Sequence, residues 1–203
     1  MSQILLVTTS PRGSASYSNQ VADALVAKLK AERPGATVVV RNLADTPLDH
    51  VGEAFVTGRV LPPTDRSAAQ AAAMVPSDAA IAEVNASDVI VIASPMYNFG
   101  VPSTLKAWID HLARPGVTFS YSANGPEGLI KGKKLYLVEA RGGVYSEGPY
   151  QVLNFQEPYL KAVLGFLGVK DVETITVEGI GYGPEAAEKA LNGALGKVAA
   201  LAA

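Results

Sequence analysis

Five short apolar runs, separated by segments with helical spacing, constrain this chain more than any other feature. They cover residues 4–9, 37–41, 88–94, 134–140 and 172–177. The first and third, I-L-L-V-T-T and D-V-I-V-I-A-S, are nearly continuous in apolar residues, the pattern of strands covered on both faces. Between them, Val21, Ala22, Leu25, Val26 and Leu29 recur at helical spacing over 18–30, as do Leu105, Trp108, Ile109 and Leu112 over 103–113. Helices are also expected over 66–84, with Pro76 interrupting or resetting it, over 150–167 with Pro158 inside, and over 185–201. Residues 117–121 read as a small hairpin arm, and 43–64 as a surface excursion with a helical turn or more.

Strands that alternate with helices imply an α/β chain whose parallel sheet is covered on both faces. Two five-stranded arrangements satisfy this, a doubly wound sheet of order 2-1-3-4-5 or half of a dinucleotide fold. In both, ligands gather beyond the carboxyl ends of the strands, here Ser10, Ser94 and Ala140. With 203 residues and neither repeat nor linker, one domain over 1–203 is expected.

Composition excludes several chemistries. There is no cysteine, so disulfides, thiolate nucleophiles and thiolate-held metals are out, and two histidines without HExxH or HxH spacing make a transition-metal site improbable. A net charge of -2 leaves no basic footprint for nucleic acid. No basic leader and no membrane-length apolar stretch is present, so a cytoplasmic protein is expected.

Three loops at the expected carboxyl edge carry the chemistry. The first, S-P-R-G-S-A-S-Y-S-N from Ser10, feeds a helix with hydroxyls. Free N–H groups at a helix start favour an anion, and Ser10, Ser16, Ser18 and Arg12 reinforce that. Neither GxxxxGK[ST] nor GxGxxG is present, so a monophosphate fits better than a diphosphate. The bland alternative is that Ser16 or Ser18 simply caps the helix. The second loop sets Met96, Tyr97, Asn98 and Phe99 between Pro95 and Pro102, with Gly100 permitting an unusual backbone angle. Asn98 can address a heteroaromatic edge, and Tyr97 and Phe99 can stack on a ring. The third, A-R-G-G-V-Y from Ala140, offers adjacent glycines for close backbone approach. A phosphate-sized polar pocket beside two loops suited to a flat heterocycle suggests a flavin mononucleotide site.

The residues P-M-Y-N-F, P-S-T-L-K-A-W-I-D, G-V-T-F-S-Y, G-P-E-G-L, K-G-K-K, A-R-G-G, F-L-G and E-G-I-G-Y-G-P occur in this order, and the chain resembles the FMN-dependent azoreductases, bacterial NAD(P)H:quinone oxidoreductases. The resemblance implies a flavodoxin-like fold with a five-stranded parallel sheet of order 2-1-3-4-5. It implies FMN contacts at Ser10, Ser16, Tyr17, Ser18, Met96, Tyr97, Asn98, Phe99, Ala140, Arg141, Gly142 and Gly143. Phe99, Phe119, Tyr121 and Tyr145 are candidates for the substrate pocket. The resemblance also implies a homodimer with its active sites near the interface, and NADH or NADPH as donor. A nicotinamide would leave before a quinone or azo compound takes its place and receives two electrons. The flavin then carries the redox chemistry and no side chain is a catalyst. Arg59 and His111 are expected to be a solvated charge and a packing residue.

Overall fold

The computed structural model describes residues 2–123 and 125–201, so the expected span 1–203 is described apart from Met1, Asn124, Ala202 and Ala203. In chain order the strands are β1 (Gln3–Thr8), β2 (Thr37–Asn42), β3 (Val89–Pro95), β4 (Phe119–Ser122), β5 (Gly125–Gly128), β6 (Lys134–Arg141) and β7 (Asp171–Glu178). The α-helices are α1 (Tyr17–Glu32), α2 (Glu53–Gly58), α3 (Ala68–Ala86), α4 (Ser103–Leu112), α5 (Gln156–Phe166) and α6 (Pro184–Ala200).

Five strands form one parallel sheet in the order β2-β1-β3-β6-β7, which is 2-1-3-4-5 among the parallel strands. Alternate residues of each strand feed opposite cores. Leu5, Val7, Ile90, Ile92, Leu135 and Leu137 meet α3, α4 and α5 on one face. Ile4, Leu6, Val89, Val91, Tyr136, Val138, Ile175 and Val177 meet α1 and α6 on the other. β4 and β5 pair separately as an antiparallel arm, as expected from 117–121.

Two helical expectations need correction. Pro76 does not interrupt α3, which runs through it for 19 residues. A proline removes one ladder hydrogen bond. Here a capping box at Ser67 and Gln70, and the buried face Met74, Ser77, Ala80, Ile81 and Val84, hold the helix on both sides of that loss. Conversely, 150–167 is not one helix: a short 3₁₀ turn, Gln151–Leu153, precedes α5. Pro158 lies in the first turn of α5, where its missing N–H has no intrahelical partner to lose.

Candidate functional site

Because β1, β3 and β6 are adjacent and parallel, the loops that follow them share one edge of the sheet. Thr9 Oγ1 donates to the Ala93 carbonyl at 2.9 Å and fastens the first loop to the second. The Met96 N–H donates to the Ala140 carbonyl at 2.8 Å and joins the second to the third. The three sequence-predicted loops therefore converge.

In the first loop Ser10, Ser16 and Ser18 are all buried, and Ser16 is the N-cap residue of α1. It forms no side-chain cap. Its Oγ instead pairs with Ser18 Oγ at 3.0 Å, so the capping alternative is not what the side chains do. The first turn holds no acidic residue either. The start of α1 thus presents its N–H groups and two buried hydroxyls without internal neutralisation, which favours an anion there. Arg12 lies over the ring of Tyr17, 5.8 Å from its centroid, and keeps a positive charge at the mouth of the loop. Asn19 donates to the Gly13 carbonyl at 3.0 Å, while its buried Oδ1 has no partner among the described residues.

The second loop turns on residues expected to be its ornaments. The Tyr97 and Gly100 backbones exchange two 3.0 Å hydrogen bonds, leaving Asn98 and Phe99 as a two-residue turn with φ of 48° and 70°. Gly100 does not adopt the unusual angle; Asn98 and Phe99 do. Asparagine tolerates the left-handed region, but phenylalanine there is strained by about 1–3 kcal/mol. The surroundings hold it. Phe99 O accepts from the Phe155 N–H at 3.1 Å, and the Phe99 ring meets Tyr145 edge-on with centroids 6.1 Å apart. Tyr97 and Phe99 remain 42% and 41% exposed, so the strained turn displays its aromatics rather than burying them.

In the third loop, the Gly142 carbonyl accepts from Gly181 N–H at 2.8 Å and the Gly143 carbonyl from Gly179 N–H at 3.1 Å. Both carbonyls therefore face the segment after β7. A trans peptide points its N–H opposite to its carbonyl. The N–H groups of Gly143 and Val144 accordingly face the β3 side of β6, where the Tyr97–Gly100 turn lies. Val144, Gly179 and Gly181 escaped the sequence reading, since nothing in G-G-V announces which peptide will be held from behind.

Two expectations do not match the placement of side chains. The Arg141 guanidinium does not face the loop edge. Arg141 is wholly buried and bonded to Glu139, to Glu178 at 2.9 Å and to Gln156 at 3.4 Å, leaving its backbone alone at the strand end. Phe119 and Tyr121 are likewise not brought to Phe99 and Tyr145 within the chain. α5 begins beside Ser94 through Gln156 and ends at Phe166, beside the opposite edge, and it is Phe166 that Phe119 touches, at 4.7 Å between centroids. Phe119 joins the core there, while Tyr121 is 74% exposed. A cleft of about 1000 Å³ also lies at that amino edge. Its walls include the ion pairs Lys131–Glu127 and Lys134–Asp171, and none of the three loops lines it. His111 is buried against Phe55 with Nε2 at 2.9 Å from the Asp49 carbonyl, a packing role.

Similarities to known proteins agree with this layout. A family model described as a flavodoxin-like fold matches residues 2–202. The FMN-dependent NADH:quinone oxidoreductase 1 of Rhizobium etli is 52% identical over 203 residues, covering 100% of this chain and 98% of that protein. The FMN-dependent NADH:quinone oxidoreductase of Azotobacter vinelandii is 43% identical over 202 residues and 100% of both chains. Among solved structures, an azoreductase from Bacillus anthracis superposes with a TM-score of 0.90 at 32% identity, covering 98% of this chain and 97% of that one.

Proposed function

The chain belongs to the flavodoxin-like family that includes the FMN-dependent NADH:quinone oxidoreductases, and from that membership we propose that it binds FMN at the three-loop edge and reduces quinones and azo compounds with NADH. The observation that carries the reading is the uncapped start of α1, with its buried serine pair, one strand away from a strained turn that displays two aromatics.

The residues fit the cofactor. Ser10, Ser16, Tyr17, Ser18 and the first N–H groups of α1 would hold the single phosphate, an anion matched to the helix start. Met96, Tyr97, Asn98 and Phe99, with the backbone of Ala140, Arg141, Gly142, Gly143 and Val144, would bound the ring. FMN, when bound, supplies the two-electron hydride chemistry. The chain positions and excludes: N–H groups aimed from Gly143 and Val144 stabilise negative charge, and Phe99 with Tyr145 forms the wall on which a flat substrate stacks. NADH and acceptor take turns at that wall. On the same reading the protein is a cytoplasmic homodimer, and the exposed Tyr121 of a second copy completes the pocket that it does not reach within one chain, while Phe119 holds the arm from the core side. Among the described residues no helix is long and apolar enough to cross a membrane.

The purified protein is expected to release FMN, not FAD, on denaturation, to turn over NADH continuously with a quinone or an azo compound as acceptor, and to give parallel double-reciprocal lines. Release of FAD or of no flavin by chromatography would reject the cofactor; intersecting lines would reject the shared wall.

A further inference from the structure

Arg141 sits where two of the site's loops are anchored, and its partners reach both. On one side its Nη1 donates to Glu178 Oε1 at 2.9 Å. The same oxygen accepts from the Tyr145 N–H at 2.9 Å, and Glu178 Oε2 accepts from Ser146 Oγ at 2.5 Å. On the other side its Nε donates to Gln156 Oε1 at 3.4 Å. Gln156 Nε2 in turn donates to the carbonyl and hydroxyl of Ser94, at 3.2 and 3.0 Å, two residues before Met96. Glu139, also wholly buried, closes the back of the guanidinium, and Glu157 lies 3.5 Å from it.

We propose that this buried network is a positioning device, in which Glu178 and Arg141 set loop 142–146 against the turn at 96–99 before any ligand arrives. The proposal rests on the reading that these loops hold the flavin. Burying the Arg141 and Glu139 side chains completely, with Glu178 and Glu157 partly buried beside them, is costly unless every partner is well placed. A structural clamp would need only β6, β7 and α5, whereas two Glu178 bonds are made to the loop itself, at Tyr145 and Ser146. Fixing the Tyr145 backbone positions the ring that leans on Phe99, and a Cβ on Gly143 would meet that ring at 3.2 Å, so the second glycine of the pair is fitted to the clamped tyrosine. The carbonyl bonds from Gly179 and Gly181, directly after Glu178, orient the same loop.

The experiment compares Glu178→Ala, Glu178→Gln and Ser146→Ala with Ile175→Val, which trims the buried core of the same strand without touching the network. Three quantities are read: amide exchange over 142–146 in FMN-free protein, the Kd for FMN, and the visible circular dichroism of bound FMN. Glu178→Ala should speed exchange in that loop, alter the flavin dichroism and weaken FMN by roughly 10-fold, with quinone turnover down by as much as about 100-fold. Glu178→Gln keeps an acceptor for the Tyr145 N–H and should recover most of this; Ser146→Ala should shift all three in the same direction but less. Ile175→Val should lower thermal stability alone. Loop exchange and flavin dichroism unchanged in Glu178→Ala and Ser146→Ala would overturn the proposal. Absence of FMN binding by the unaltered protein would reject the site reading instead, with the exchange data still deciding the network.

Discussion

At the start of α1 the hydroxyl that stands in the capping position is turned to a neighbour, and this separates stability from binding. Ser16 and Ser18 satisfy each other, and neither accepts from the helix. Replacing both by alanine removes donor and acceptor together, which is close to neutral for a buried pair. The double variant Ser16→Ala/Ser18→Ala should therefore lose far less than the roughly 0.5–2 kcal/mol of a working cap. Its FMN affinity should fall much further, by roughly 1.5–3 kcal/mol for each charged hydrogen bond lost. Titration of FMN-free protein beside a thermal melt decides the matter. A destabilised variant that binds FMN normally would make the serines structural only. Phe99 tells a similar story, since a strained, exposed aromatic does little for the fold and is explained by what it faces.

Among the elements, the β4–β5 arm is held by backbone pressed on backbone. A Cβ on Gly128 would lie 2.2 Å from the Gly168 nitrogen, and Gly168 itself has a φ of +111°. The glycines of G-P-E-G and F-L-G are thus one contact seen from two sides. Gly128→Ala should cost about 1–3 kcal/mol or more, because both neighbours are main chain and cannot yield. Gly196→Ala, inside α6 with nothing within 4 Å, should stabilise by roughly 0.5–1 kcal/mol. Paired melts test this, and equal effects would show that the close approach is not real. The contrast also explains what the sequence could disclose. The strands themselves were readable because buried strands declare themselves by composition, and the family resemblance chose between the two orders that composition left open. The three loops followed from that order. Side-chain partners 33 or 37 residues apart, as in Tyr145–Glu178 and Arg141–Glu178, leave no local pattern. For that reason Arg141 reads in the sequence as a ligand contact and in the fold as a buried hub. Helix breakers misled for a related reason, since packing on either side of Pro76 outweighs one missing bond.

For the whole molecule, the buried network ties folding to pH. Burial pushes the Glu139 carboxyl up to about 7 from its usual 4.5, against the pull of Arg141 from its own strand. From α5, Glu157 opposes ionisation of Glu139 and Lys161 favours it; from β7, Glu178 occupies the other side of the guanidinium. Burial also pushes Glu178 up, but hydrogen bonds from Ser146, the Tyr145 backbone and Arg141 outweigh it and hold the carboxyl below the usual range. These two acids act in opposite directions. With its folded value raised, Glu139 gives stability that is fully present below about pH 4.5 and is lost as pH climbs through about 7. Glu178, lowered, gives stability that is present above pH 4.5 and lost as pH falls through its folded value. Glu139→Gln should remove the first slope and leave the second. Between pH 5 and 8 the FMN-loaded protein should lose on the order of 3 kcal/mol that the variant keeps. Denaturant titrations of both proteins at the two pH values measure the difference. Parallel pH dependences would mean that Glu139 stays ionised throughout, and that its ion pair with Arg141 outweighs the burial of the charge.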